Sequence, residues 1–248
     1  MLINTPLVDS FGNTIILEGY LTILEDSKDR TTNTKRNSLV IFVHGSGSSK
    51  DSSRNQYLAK ELNKNGIGTF LFDLLTKAEE ESDNKIAKIQ KQVPGLTLNK
   101  FNISLLVDRL IKVTDYILQS PQLKEREFNI GYFGASTGVA AALYTSGKIS
   151  ETTAIKTIVS RGGRPDLISS ISNCNAKVIE NIKNIPLLFI IGQKDKFVLD
   201  WTKNFIKNNK LLNNSKIEII KDASHLFEEE GTLEKAGDVA ERWFIQHL

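Results

Sequence analysis

Gly134-Ala135-Ser136-Thr137-Gly138 directly follows the apolar run 128–133 and leads into a stretch rich in Ala and Leu. A serine set between glycines at a strand-to-helix junction sits on a tight turn, because its small neighbours let the backbone fold back sharply and lift Oγ above the sheet edge. A serine hydroxyl attacks poorly until a base takes its proton. Three histidines are available, His44, His225 and His247. His44 closes the run 39–43 and opens a Gly- and Ser-rich loop, and His247 is the penultimate residue of a terminal helical stretch, where chain ends fray. His225 stands in a loop just after the run 217–220, which makes it the candidate base.

A base of this kind needs a carboxylate that orients the imidazole and stabilises its charged form. Asp195 fits best, because it follows the apolar run 186–191 through Gly192-Gln193-Lys194 and so falls on the sheet edge that carries Ser136. Asp166 is the rival, at the end of Arg161-Gly162-Gly163-Arg164-Pro165-Asp166 after the run 155–160. Asp200 and Asp222 read as a helix N-terminal residue and a turn residue. Acyl transfer also requires donors aimed at the developing oxyanion. The amide of Thr137 is one candidate, and the loop 44–49 supplies the other, Ser46 with Gly47 as its alternative. Arg161 and Arg164 lie in a loop that faces the expected pocket and could grip an acidic substrate; the competing reading is a structural pairing with Asp166.

The elements that must hold these residues are legible as an alternation. Apolar, strand-forming runs occur at 14–23, 38–43, 67–73, 128–133, 155–160, 186–191 and 216–221, and helical spacing fills 54–64, 101–119, 137–146, 200–211 and 232–246. Nearly continuous apolar runs suit strands covered on both faces, so the fold class is α/β, a mostly parallel central sheet flanked by helices. The first run has no helix after it and follows a Phe11-Gly12-Asn13 turn signal, which predicts an antiparallel N-terminal extension of the sheet. Residues 76–100 break the rhythm and read as a lid or a surface insertion. No second domain has an obvious start, so 1–248 reads as one domain.

Composition narrows the field. Hydrophobic residues at 40% and charged residues at 25% exclude a disordered or fibrous chain. A net charge of only +3, with no basic stripe interleaved with aromatics, argues against nucleic acid as a partner. No apolar run approaches ~18 residues and no leader-like segment opens the chain, so neither a membrane span nor secretion by signal peptide is expected. The single cysteine, Cys174, cannot form an internal disulfide or supply the paired thiolates of a structural metal site, which points to a reducing cytoplasm. Trp201 and Trp243 read as packing residues between helices and sheet.

Together these segments resemble the α/β-hydrolase superfamily, specifically its dienelactone-hydrolase-like family. The resemblance spans nearly the whole chain. It is carried by Val43-His44-Gly45-Ser46-Gly47-Ser48-Ser49 with Arg54-Asn55, by Phe72-Asp73-Leu74-Leu75-Thr76, and by Phe133 through Gly138. Ser160 through Leu167, Ile191-Gly192-Gln193-Lys194-Asp195, and Ala223-Ser224-His225-Leu226-Phe227-Glu228 complete it. It implies a cytoplasmic hydrolase with Ser136, Asp195 and His225 as a triad in that chain order, and with no metal and no organic cofactor. Dienelactone hydrolases proper use a cysteine nucleophile, whereas serine stands at the elbow here and Cys174 lies elsewhere. The expected function is therefore cleavage of an ester or related acyl bond of a small-molecule substrate through a serine acyl-enzyme. An acyltransferase or peptidase with the same triad, and a binding module that keeps the fold without catalysis, are the alternatives. Similar chains also occur fused to phosphoribosyltransferase domains, and these residues encode no such domain.

Overall fold

The apolar runs pair into one sheet in the computed structural model of the chain, which describes every residue except 10, 25–36, 90–97, 122, 125–127, 150–154, 172–173 and 175. Its strands are β1 (Leu2–Val8), β2 (Thr14–Thr22), β3 (Ser38–Val43), β4 (Gly68–Phe72), β5 (Asn129–Ala135), β6 (Ile155–Arg161), β7 (Leu187–Gly192) and β8 (Ser215–Ile220). Their order across the sheet is β1-β2-β4-β3-β5-β6-β7-β8. From β4 to β8 every pairing is parallel, and β1 and β2 are antiparallel, as the turn signal predicts. Every residue of β3, β4 and β7 is buried, which is why their sequences read as uninterrupted apolar runs.

The helices are α1 (Ser53–Lys64), α2 (Lys77–Ile89), α3 (Ile103–Leu118), α4 (Gly138–Ile149), α5 (Ala176–Ile182), α6 (Lys196–Asn208) and α7 (Thr232–His247). Leu106 and Leu110 of α3, Val139 and Leu143 of α4, Val178 of α5 and Val198 of α6 pack in one apolar cluster against one face of the sheet. Leu58 and Leu62 of α1 join Ala236, Ala240 and Phe244 of α7 in a second cluster on the other face. Two covered faces leave the strand ends as the place for chemistry.

Three elements depart from the sequence reading. β1 escapes it because Pro6 interrupts an already polar run, and an edge strand tolerates a proline where an interior one does not. The segment 76–100 contains a thirteen-residue helix, α2, started by a reciprocal cap in which Thr76 Oγ1 accepts from the Glu79 amide and Glu79 Oε2 accepts from the Thr76 amide. Residues 90–97 of that segment lie outside the described residues. The short helix α5 precedes β7 without a periodic signature long enough to read.

Strand order reverses around β3, whose neighbours are β4 on one side and β5 on the other. In open parallel sheets the crevice beyond the carboxyl ends of such strands is where ligands bind, because the connections leaving them diverge to opposite faces. The loop after β3 carries Ser46 and the turn after β5 carries Ser136. No helix among the described residues is long and apolar enough to cross a membrane.

Candidate active site

Ser136 follows β5 with φ at +46°, a left-handed conformation that costs a residue with a Cβ on the order of 1–2 kcal/mol. Its neighbours hold it there. Its amide donates to Arg161 O at 3.4 Å, and its carbonyl accepts from Arg164 N at 3.0 Å and from Val139 N at 3.3 Å. Gly138 explains the second glycine of the motif, since a Cβ there would fall 2.1 Å from Val43 O. The turn can therefore press against the end of β3 only if residue 138 has no side chain. Behind it runs α4, buried on nearly all sides, with its N-terminal amides directed toward the turn.

His225 and Asp195 come together. Nδ1 of His225 lies 2.5 Å from Asp195 Oδ2, with Asp195 11% exposed and His225 42% exposed. A carboxylate only accepts, so Nδ1 carries the hydrogen and Nε2 keeps its lone pair free toward solvent. The two loops that bear them are packed backbone to backbone: Lys194 N donates to Ala223 O at 2.9 Å. Glu229 fastens them further, accepting from Ser224 N at 2.8 Å and from Lys194 Nζ at 3.2 Å. The amides of Ser224 and of Glu229 itself hold the Glu229 carboxyl down to about 2. Gly162, in the loop bonded to Ser136, lies against the imidazole, its absent Cβ 3.4 Å from His225 Nδ1. No hydrogen bond joins the Ser136 hydroxyl to His225; catalytic hydrogen bonds of this kind often close only when substrate is bound.

The loop after β3 is fixed at several points. His44 is buried and neutral: Nε2 accepts the Leu74 amide at 2.9 Å while Nδ1 faces Gly45 O at 3.0 Å. Burial pushes its pKa down. Asp73 accepts from Lys50 N at 2.7 Å and from Lys50 Nζ at 2.8 Å, tying the far end of the loop to the end of β4. Burial opposes the Lys50 charge, but Asp73, Glu18 and Asp51 outweigh it and raise the pKa. Gly45 packs on the nucleophile turn, for its Cβ would meet Ser136 Cβ at 2.7 Å. Ser46 N, the expected oxyanion donor, is 3.0 Å from the side-chain Oγ1 of Thr137 and donates to it.

Beside Thr137 and Ser46 opens a cleft of about 490 Å³. Serines 46, 48, 49, 52 and 53 line it with Arg54, as do Glu80, Asp83 and Asn84 of α2 and the apolar Leu74, Leu75 and Leu106. Burial and the nearby Asp73 charge raise the Glu80 pKa. Asp83 accepts from Asn99 N, Asn99 Nδ2 and Lys100 N at 2.8–2.9 Å, and Arg109 Nη2 donates to Glu79 Oε1 at 2.7 Å, so α2 is anchored at two depths.

Arg161 and Arg164, expected to face the pocket, are absent from its lining. Arg164 grips Asp166 with two hydrogen bonds and lies 3.7 Å over the Trp201 ring. Arg161 turns inward to Asn55 Oδ1 at 3.1 Å and stands over Phe133, where burial and the neighbouring Arg54 charge bring its pKa down to about 10. Arg54, at the cleft wall, is the guanidinium that reaches the pocket. His247 stacks on Trp243 at the far end of α7, away from these residues. Among the described residues no group of three or more His, Cys, Asp or Glu is placed to hold a metal ion.

No family model matches the chain. The fold aligns with Est1E from Butyrivibrio proteoclasticus at a TM-score of 0.68, covering 99% of this chain and 98% of that one at 14% identity, which speaks to fold alone. Two Mycobacterium tuberculosis proteins that carry the name phosphoribosyl transferase are 37% identical over 231 residues, 93% of this chain. The chain spans 44% of their length. A dienelactone hydrolase from Anabaena variabilis is 34% identical with a TM-score of 0.78, the match covering 100% of this chain and 97% of that enzyme. Alike in sequence and fold along its whole length, the chain belongs to the dienelactone-hydrolase-like family of α/β-hydrolases.

Proposed function

We propose that the protein hydrolyses an ester or related acyl bond of a small molecule through a serine acyl-enzyme. The observation that carries this reading is that one loop touches both groups: Arg161 O accepts the amide of Ser136 in its left-handed elbow, and the adjacent Gly162 lies against His225, whose Nδ1 is bound to the Asp195 carboxylate. Ser136 Oγ attacks the acyl carbon while His225 Nε2 takes its proton. Asp195 keeps the imidazole in the required tautomer and stabilises the imidazolium. The tetrahedral oxyanion is held at the N-terminus of α4 by the Thr137 amide. His225 then returns the proton to the leaving alcohol, and a water activated by the same nitrogen releases the acid.

The cleft gives this chemistry a substrate preference. Five serines, Arg54, Lys100 and three carboxylates line it together with only three leucines, a lining that hydrates and hydrogen-bonds a polar acyl or alcohol portion and offers a long alkyl chain little to bury against. The phosphoribosyl transferase name belongs to proteins that this chain matches over 44% of their length, and no step above draws on it.

Intact mass after exposure to a fluorophosphonate, with Ser136→Ala beside the wild type, tests the reading. One adduct on the wild type and none on the variant supports it. An unmodified wild-type protein that is folded, or equal labelling of both, refutes it.

A further inference from the structure

We propose that the hydroxyl of Thr137, and not the Ser46 amide, is the second group that meets the oxyanion. The proposal rests on the serine acyl-enzyme reading and specifies one more atom of it. An oxyanion hole built from two backbone amides needs both hydrogens free and convergent. Here the Ser46 hydrogen is spoken for: it points at Thr137 Oγ1 at 3.0 Å. Thr137 is 4% exposed, and both residues line the cleft beside Ser136.

A hydroxyl has one hydrogen to donate and two lone pairs to accept with. By accepting from Ser46, Oγ1 keeps its own hydrogen available, and no hydrogen bond to any acceptor among the described residues uses it. An N–H donated to an oxygen also polarises that oxygen's own O–H bond, so the Thr137 hydroxyl is a stronger donor than an isolated one. The Ser46 amide acts at one remove: it orients Oγ1 and strengthens it. The supports described above serve the same end. His44, Asp73 and Gly45 fix the loop so that the Ser46 N–H cannot swing away from Thr137.

The alternative arrangement is that Thr137 merely plugs a two-amide hole and must be displaced. The two differ in sign. Removing the hydroxyl destroys a donor in the first case and uncovers the Ser46 amide in the second. Thr137→Val, Thr137→Ala and Thr137→Ser are compared with wild type for hydrolysis of p-nitrophenyl acetate, for fluorophosphonate labelling of Ser136, and for inhibition by a trifluoromethyl ketone, which forms an oxyanion on the serine. Circular dichroism confirms folding, and Ala serves if the β-branched variant does not fold.

The expected result is a fall in kcat of about 10²-fold for Val and Ala with KM unchanged, a matching loss of trifluoromethyl ketone affinity, and recovery in Thr137→Ser. Hydrolysis by Val or Ala at or above the wild-type rate, with Ser136 still labelled, overturns the role of the hydroxyl and leaves the serine mechanism standing. Wild-type hydrolysis that survives Ser136→Ala overturns both.

Discussion

Asp166 holds Arg164 through both carboxylate oxygens, at 2.9 and 2.7 Å, and the Nδ1 of His225 meets Asp195 instead. The two carboxylates that compete for one role in the sequence are thus divided between a structural task and the imidazole. Asp195→Asn is expected to lower kcat by about 10³- to 10⁴-fold, because the amide no longer selects the tautomer that leaves Nε2 free. Asp166→Asn retains most of the wild-type turnover. Steady-state hydrolysis of p-nitrophenyl acetate by both variants, each with a thermal melt, decides between them; the reverse pattern makes Asp166 the acid.

His44 gives the fold a pH dependence. Its pKa is lowered by burial from 6.5, the value it regains in the unfolded chain. As pH drops below about 6.5 the unfolded state takes up a proton that the folded state refuses, so stability declines with acidification. His44→Gln places a non-titrating acceptor near the Leu74 amide and removes that contribution. Urea unfolding at pH 7.5 and 5.5 is expected to show a larger loss for wild type than for the variant.

Arg109 is 2% exposed, and among the described residues Glu79 is the carboxylate that forms an ion pair with it, with Nε and Nη1 left without hydrogen-bond partners there. Glu79→Gln strands that charge in the interior and is expected to cost about 3 kcal/mol. In a chain of this size the loss reads as a fall in Tm of roughly 6–12 °C. Adding Arg109→Met to Glu79→Gln removes the stranded charge, and calorimetry should find most of the lost stability restored. A double variant no more stable than the single one contradicts this account.

Ser136, Asp195 and His225 stand out in the sequence because each follows a strand that reads as an apolar run, and a strand's carboxyl end is a position that a one-dimensional pattern can mark; the fold brings Asp195 and His225 into contact. What the pattern could not mark are bonds between distant segments. Glu229 ties the loops of Asp195 and His225, Lys50 reaches back to Asp73, and Thr137 Oγ1 meets Ser46 N across 91 positions, yet none has a local signature. The arginines show the same limit from the other side. Loop position allows Arg161 and Arg164 to face a pocket or to pair with Asp166; Arg164 does pair with Asp166, but its stacking on Trp201 and the Arg161 contact with Asn55 have no local signature. The segment that holds α2 reads as a lid or a surface insertion, because a helix with a single buried residue, Asp83, carries no apolar stripe to decide between them.

That sparse attachment of α2 separates two kinds of inheritance within one site. Ser136 and Asp195 follow β5 and β7, strands buried almost throughout, whereas His225 follows the edge strand β8, of which only Ile220 is buried. Glu80 and Asn84 line the cleft from a capped helix held through Lys77, Glu79 and Asp83, so they are free to change without moving Ser136, Asp195 or His225. Descendants of this chain can therefore diverge in diet while conserving their chemistry, and the positions at which they do so lie within a single helical turn.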